Sequence, residues 1–390
     1  MDAFKDDIRS STEGGAAGAF SAHDPLGNFK AEDLLLRDKR SFIDTDSLAY
    51  YTDKVVLVTG GGGTIGSEIC RRIATASPKK LIIFDIYENN AYDLEQELIA
   101  EYGVALDLAV EIGSVRDRAR LDAVFSHYKP QVVFHAAAHK HVPLMEHNSC
   151  EAIKNNVFGT CNVADMAERH GTLKFILIST DKAVNPTSVM GATKRMCEML
   201  IQSRADSATK FAAVRFGNVL GSAGSVIPLF RRQIARGGPL TLTDKRITRY
   251  FMTASEAADL VIIAGSLAEQ GELFLLEMGE PVRILDLAES MIRLCGLEPY
   301  RDIDILEIGL RPGEKLYEEL LVKADNLERT ANDMILASRA RPHSREEIAD
   351  KLDILSRALA SAEQELCSPL IVEALRQTVP EFCPSTNPNA

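Results

Sequence analysis

The stretch "KVVLVTGGGGTIGSEICRRIATA", Lys54 to Ala76, decides the fold. A short unbroken apolar run gives way to glycines, and apolar residues then recur at helical spacing. That order predicts a strand buried on both faces, a tight turn, and a helix. Gly60, Gly63 and Gly66 fall in the turn. Small residues there let the backbone approach a pyrophosphate, whose charge is met by amide groups and the helix N-terminus; Thr64 and Ile65 belong to the same cradle. Asp85 closes the next apolar run, "KLIIFD", 19 residues after Gly66. A carboxylate at that place binds the adenosine ribose hydroxyls of NAD and repels the 2'-phosphate of NADP, and this reading is favoured over the simpler one in which a strand-end Asp caps the next helix.

Outward from this unit the rhythm repeats. "VVFHAAA", "KFILIS" and "FAAVRF" are further apolar runs separated by helix-like segments, which implies an α/β chain with a Rossmann-like doubly wound parallel sheet. After Gly221 the alternation loosens: "GGPLTLTD", "GELFLLEMG" and "IDILEIG" read as isolated strands of a smaller α/β lobe. The expected division is a flexible tail over 1–30, a NAD-binding domain over 31–222, a substrate lobe over 223–330 interleaved with the first, and a helical extension over 331–390. Within the second range, "AEDLLLRD" reads as a short docking helix.

The formal net charge of -12 argues against a nucleic-acid partner. The seven cysteines form no CxxC pair, and no signal peptide or membrane-length apolar segment is present, so a cytoplasmic protein is expected. Four histidines, His135, His139, His141 and His147, do not follow a metal-ligand spacing, and no metal is expected. Lys140 and His141 either line the nicotinamide and substrate cleft or are solvated loop residues. Ser114 and Val115 fall where the adenine ring would lie, and Ala136 and Ala137 follow the run "VVFH" into the cofactor site. Asn156 reads equally as a cofactor contact or a backbone brace. Arg231, Arg232 and Arg236 read as a solvated basic face.

One stretch, "STDKAVNPTSVMGATKR" (Ser179 to Arg195), raises a chemical problem. Four residues before Lys194, where a short-chain dehydrogenase carries a catalytic tyrosine, stands Met190, whose thioether cannot move a proton. Together with "TGGGGTIGSE", "FHAAAHKHVPLMEHN", "RFGNVLGSAGSVIPLF", "TRYFMT" and "RPGEKLYEEL", this stretch resembles the capsular-polysaccharide branch of the nucleotide-sugar 4,6-dehydratases, extended short-chain dehydrogenases. Part of that branch carries Met in the "SVMGATKR" context.

The resemblance implies a cycle on UDP-N-acetylglucosamine, with NAD tightly bound and recycled: oxidation at C4, loss of water across C5 and C6, and reduction at C6. The product is a UDP-2-acetamido-2,6-dideoxy-hexos-4-ulose. A C4 ketone acidifies the C5 proton, which brings the elimination within reach of ordinary side chains. Thr180, Asp181 and Lys182 are then the catalytic group, with Asp181 the acid at the C6 hydroxyl and Lys182 the C5 base, its pKa lowered by burial. Lys194 holds the nicotinamide ribose, and Met190 is packing. The C4 proton leaves through Thr180, Lys194, a water, or Asp181 acting twice. On the substrate side the resemblance assigns Arg249 and Arg311 to the pyrophosphate, Asn218 and Ser225 to phosphate or sugar, Glu314 to the uridine ribose, and Thr241 and Thr243 to the uracil, with a homo-oligomer expected. The competing readings are a nucleotide-sugar 4-epimerase and a catalytically silent NAD-binding protein.

Overall fold

The structure, a computed structural model of the 390-residue chain, describes residues 42–319, 327–340, 343–362 and 368–384. The tail expected over 1–30 and the helix expected at 31–38 lie outside the described residues.

The opening stretch folds as its pattern dictates. β1 (Val55–Thr59) runs into the glycine turn and then α1 (Thr64–Thr75). The other strands of the same sheet are β2 (Lys80–Asp85), β3 (Leu108–Ile112), β4 (Val132–His135), β5 (Lys174–Ile178), β6 (Lys210–Arg215), β7 (Glu272–Leu276), β8 (Leu327–Arg329) and β9 (Ile335–Ser338). Their order is β8-β9-β7-β6-β5-β4-β1-β2-β3. From β7 to β3 all pairings are parallel, and β9 and β8 add an antiparallel edge. Successive residues of β1 feed opposite cores: Leu57 packs into one hydrophobic cluster, and Val56 and Val58 into the other. This two-sided burial explains why the strands read as unbroken apolar runs.

Among the described residues the other helices of ten or more residues are α2 (Glu88–Tyr102), α3 (Arg118–Tyr128), α4 (Gly159–Arg169), α5 (Val189–Gln202), α6 (Val226–Ala235), α7 (Ala254–Leu267), α8 (Ile284–Leu294), α9 (Arg345–Ser361) and α10 (Pro369–Thr378). A third apolar cluster, from Leu220 to Ile305, is built by α6, α8 and the short strands between them. The α9–α10 hairpin closes over α5, whose residues from Val189 to Gln202 are buried with the exception of half-buried Arg195.

Two expectations change. The stretch "GELFLLEMG" is not an isolated strand of the smaller lobe: β7 enters the large sheet beside β6. The range 331–390 is not helical throughout, because β9 pairs with β7 before α9 begins. β3 carried no clear run because its residues are only half-buried or exposed, as an edge position allows.

Candidate active site

The sheet order reverses between β1 and β4, so the turns after these two strands diverge and leave a crevice at their carboxyl ends. Gly60 stands at φ +69°, and a Cβ there would lie 2.6 Å from the Ala137 amide nitrogen. A Cβ on Gly66 would lie 2.1 Å from the Gly60 carbonyl oxygen. Both positions therefore require glycine, and the close backbone packing opens the N-terminus of α1 to the crevice. Gly63 caps that helix without a side-chain hydrogen bond, so its first amides are left for a ligand.

A cleft of about 700 Å³ continues from this turn to the third cluster. It gathers Gly60, Gly63, Thr64, Ile65, Gly66 and Ala136 with Lys140, His141, Thr180, Lys182, Met190 and Lys194. Asn218, Ser225, Thr241, Thr243, Arg249, Arg311 and Glu314 form its far side. Residues separated by more than 200 positions thus face one another.

Several expected cofactor residues stand elsewhere. Asn156 does not line the cleft: it is buried, accepts the His139 N–H at 2.8 Å and donates to the His139 carbonyl at 3.0 Å and to Thr193 Oγ1 at 3.0 Å. It is a brace, displayed by a π-helical turn over Ile153–Phe158. Val115 is a core side chain against Gly159. Ser114 lies beyond the cleft, with Oγ accepting the Arg116 N–H at 3.2 Å, and Ala137 serves through its backbone under Gly60. Asp85 closes β2 away from the cleft and accepts the N–H groups of Gly62 at 2.8 Å and Tyr87 at 2.9 Å. A carboxylate has lone pairs for further donors, so bracing the turn leaves capacity for ribose hydroxyls.

His135 is buried between Thr59 Oγ1 at 2.7 Å and Thr160 Oγ1 at 2.9 Å. Burial, with a smaller contribution from Lys194, pushes its pKa down to about 3, so it is a neutral structural residue. Among the described residues no group of three or more His, Cys, Asp or Glu side chains is placed to hold a metal ion.

The catalytic stretch begins where β5 ends. Thr180 donates to Asp181 Oδ1 at 2.8 Å, and Lys182 Nζ donates to the same oxygen at 2.9 Å and to Asn218 Oδ1 at 3.0 Å. Asp181 is fully buried behind the wall of the cleft, and its Oδ2 has no hydrogen-bond partner among the described residues. It reaches the cleft through Thr180 and Lys182. Lys182 corrects the sequence reading. Burial does act to lower its pKa, but Asp181 and Glu318 together outweigh it, and the ammonium is held above its ordinary range. Lys194 is the reverse case: burial depresses its pKa, and Nζ donates to the Ile178 carbonyl at 2.6 Å. Met190 is 3% exposed, forming cleft wall on one side and core on the other.

The stretch is anchored from behind. Glu198 of α5 receives Ser179 Oγ at 2.6 Å and Arg215 of β6 through Nε at 3.1 Å and Nη2 at 2.7 Å. Three elements are thereby fixed around one buried carboxylate.

Across the cleft the assigned phosphate ligands divide. Arg311 is exposed at the mouth, whereas Arg249 is buried, with its guanidinium donating to the carbonyls of Thr248, Lys315 and Leu316. Arg249 is thus a strut for the segment 311–319. Asn218 gives its carboxamide oxygen to Lys182, and Glu314 receives Thr243 Oγ1 at 3.2 Å and the Arg311 N–H at 3.2 Å. Thr241 is braced by Gln233 at 2.8 Å. Ser225 opens α6 without capping it, and its buried Oγ has no partner among the described residues. An uncapped helix start with an unsatisfied hydroxyl in a cleft suits an anion. Arg232 and Arg236 are exposed, Arg231 is half-buried, and none of the three lines the cleft.

Glu318 is the residue the sequence reading missed. It lines the cleft with its side chain 3% exposed, and its Oε1 lies 3.4 Å from both Lys182 Nζ and Arg249 Nε. The available signal was the acidic pair Glu318–Glu319 after "RPGEK", which periodicity does not mark as buried.

The family model described as "Polysaccharide biosynthesis protein" matches residues 56–340. The chain is 53% identical over 300 residues to the capsular polysaccharide biosynthesis protein CapD of Staphylococcus aureus, covering 76% of this chain and 50% of that one. It therefore spans about half the length of that relative. Identity is 36% over 282 residues to the UDP-N-acetylglucosamine 4,6-dehydratase (inverting) of Campylobacter jejuni, covering 71% and 80% of the two chains. It is also 36%, over 290 residues, to the UDP-glucose 4-epimerase of Rickettsia rickettsii, covering 71% and 82%. Among solved structures, Pen from Bacillus thuringiensis superposes with a TM-score of 0.69 at 36% identity, covering 76% of this chain and 92% of that one.

Proposed function

The chain belongs to the polysaccharide biosynthesis protein family, and from that premise we propose that it is a NAD-dependent UDP-N-acetylglucosamine 4,6-dehydratase. The observation that carries this reading is the Thr180–Asp181–Lys182 group around the buried Asp181 carboxylate, two of whose members face the same cleft as the glycine turn. Gly60, Gly66 and the uncapped start of α1 fit a dinucleotide pyrophosphate, with Asp85 at the ribose and Lys194 at the nicotinamide end. Bound NAD supplies reversible hydride exchange with the sugar.

The protein's own residues handle the protons. Asp181, reached through the Thr180 hydroxyl, takes the C4 hydroxyl proton and later delivers it to the departing C6 oxygen. Lys182, as the free amine, takes the C5 proton and returns it there after the elimination. Asp181 and Lys182 each end as they began, and the sugar loses one water. Since Lys182 rests as an ammonium, the active form has one proton fewer than the resting form, and turnover rises with pH as that proton leaves.

Residues 31–222 serve the cofactor and 223–330 the nucleotide sugar in this reading, in a cytoplasmic homo-oligomer. The diphosphate lies between Arg311 and the start of α6 at Ser225, with Glu314, Thr241 and Thr243 toward the uridine. The 4-epimerase relative motivates a second reading. An epimerase returns hydride to C4 and needs no acid at C6, whereas this site invests a buried acid–lysine pair and offers Met190 where a phenol would serve. Mass spectrometry together with proton NMR of UDP-N-acetylglucosamine after incubation separates the two. Loss of one water supports the dehydratase, and an unchanged mass with a new C4 configuration supports the epimerase.

A further inference from the structure

Among the described residues, these contacts pin the segment 311–319 to the loop after β5. Lys315 Nζ donates to the Val184 carbonyl at 2.9 Å, Thr187 Oγ1 to the Gly313 carbonyl at 3.1 Å, and Asn185 Nδ2 to Glu319 Oε2 at 2.9 Å. The fourth is the approach of Glu318 to Lys182 at 3.4 Å. The first three fix backbone and loop shape, and only the fourth reaches a group that moves protons. Glu318 also has a buried Oε2 without a hydrogen-bond partner among the described residues. Leaving a carboxylate oxygen unsatisfied in a buried site is costly, so its retention calls for an account beyond packing.

We propose that Glu318 is a positioning residue for the catalytic pair: from across the cleft it fixes the direction and the charge of the Lys182 ammonium. Lys182 lies between Asp181 at 2.9 Å and Glu318 at 3.4 Å, with Asn218 Oδ1 at 3.0 Å as a neutral third acceptor. Two carboxylates against one ammonium would leave an excess negative charge, which Arg249 balances by placing Nε 3.4 Å from the same Glu318 oxygen. Arg249 in turn stands 3.7 Å from Glu314, and Lys140 adds a positive charge on the cleft side. Asp181 and Glu318 favour the charged lysine, while burial, Arg249 and Lys140 oppose it. Glu318 is the one favourable partner that belongs to the distant segment, so seating of that segment and the proton inventory of the site are coupled.

The inference rests on the reading of Lys182 as a proton carrier, but its test does not require turnover. Competitive acetylation of the whole protein with acetic anhydride at pH 8, followed by mass spectrometry of the Lys182 peptide, reports the free-amine fraction. Replacing the carboxylate in Glu318→Gln removes an influence that favours the ammonium, so Lys182 acetylation should rise by roughly tenfold, the equivalent of one pKa unit. Glu318→Asp should return it to within about twofold of the unmodified protein. Lys194, which has no contact with Glu318, should label at an unchanged rate. In turnover, the alkaline rise of kcat/KM should move to lower pH in Glu318→Gln. Equal labelling of Lys182 in the Gln variant and the parent, at equal Tm, would overturn the inference. So would a parallel rise at Lys182 and Lys194, which marks a loosened cleft and a merely structural role. Failure of the dehydratase reading shows separately, as absence of product with the labelling pattern intact.

Discussion

Lys182 illustrates how one residue's chemistry is set by its neighbours. Burial alone would lower its pKa, yet two carboxylates hold it above its ordinary range. Asp181 Oδ1 accepts from both Thr180 and Lys182, so Asp181→Asn keeps an acceptor oxygen but removes the charge and the group that can carry a proton. Dehydration should fall by about 10²- to 10⁴-fold, the usual worth of a positioned acid–base group, with Tm and NAD content near those of the parent. Met190 makes the opposite prediction. Its thioether has only packing to contribute, so Met190→Leu, close in volume, should keep turnover within about threefold. A loss as deep as that of Asp181→Asn would give Met190 a chemical role that the geometry does not supply. At the glycine turn, Gly66→Ala places a methyl where the Gly60 carbonyl oxygen already lies. Calorimetric titration should then show NAD binding lost, while the fold, followed by circular dichroism, persists.

The elements hold these residues through buried polar links. Glu198 ties α5, β6 and the loop after β5, and both its partner Arg215 and Glu198 itself are almost entirely removed from solvent. Glu198→Ala removes the carboxylate that the buried Arg215 guanidinium grips through two nitrogens, and the expected cost is about 3–5 kcal/mol in denaturant unfolding. The pH dependence has a definite sign. Arg215 and its neighbours, acting against burial, hold the Glu198 pKa below its unfolded value of 4.5. The stabilisation is therefore complete above that unfolded value and lost as pH falls through the folded one, so the gap between parent and variant should narrow in acid.

At this scale the sequence was most readable where burial was two-sided. β1, β2, β4, β5 and β6 appear as unbroken apolar runs because helices cover both faces of the sheet. β3 does not, since an edge strand with half-buried side chains carries little pattern. β7 is as apolar as the others, but no local feature says that its partner is β6, 57 residues earlier at the nearest ends. The candidate site follows the same rule. Gly60, Gly66, Thr180 and Lys182 sit in motifs whose residue types already express their chemistry. Asn156, Arg249 and Glu318 acquire their roles from partners far along the chain, which composition and spacing do not encode.

At the scale of the whole molecule, the cleft joins a turn made near residue 60 to a segment made near residue 315, with the catalytic loop between them. The large sheet offers one rigid wall and the third apolar cluster the other. In the proposed reading a nucleotide sugar is held by its diphosphate and base on one side while its hexose faces Thr180 and Lys182 on the other. No described helix is long and apolar enough to cross a membrane. The central claim is that this cleft carries out an internal redox elimination with its own bound cofactor. The most direct measurement is proton NMR of the purified protein with UDP-N-acetylglucosamine in heavy water, without added NAD. The account predicts a 4-keto-6-deoxy sugar carrying deuterium at C5, from the proton that Lys182 exchanges with solvent. A 4-epimer, or an unaltered sugar both without and with added NAD, would contradict it.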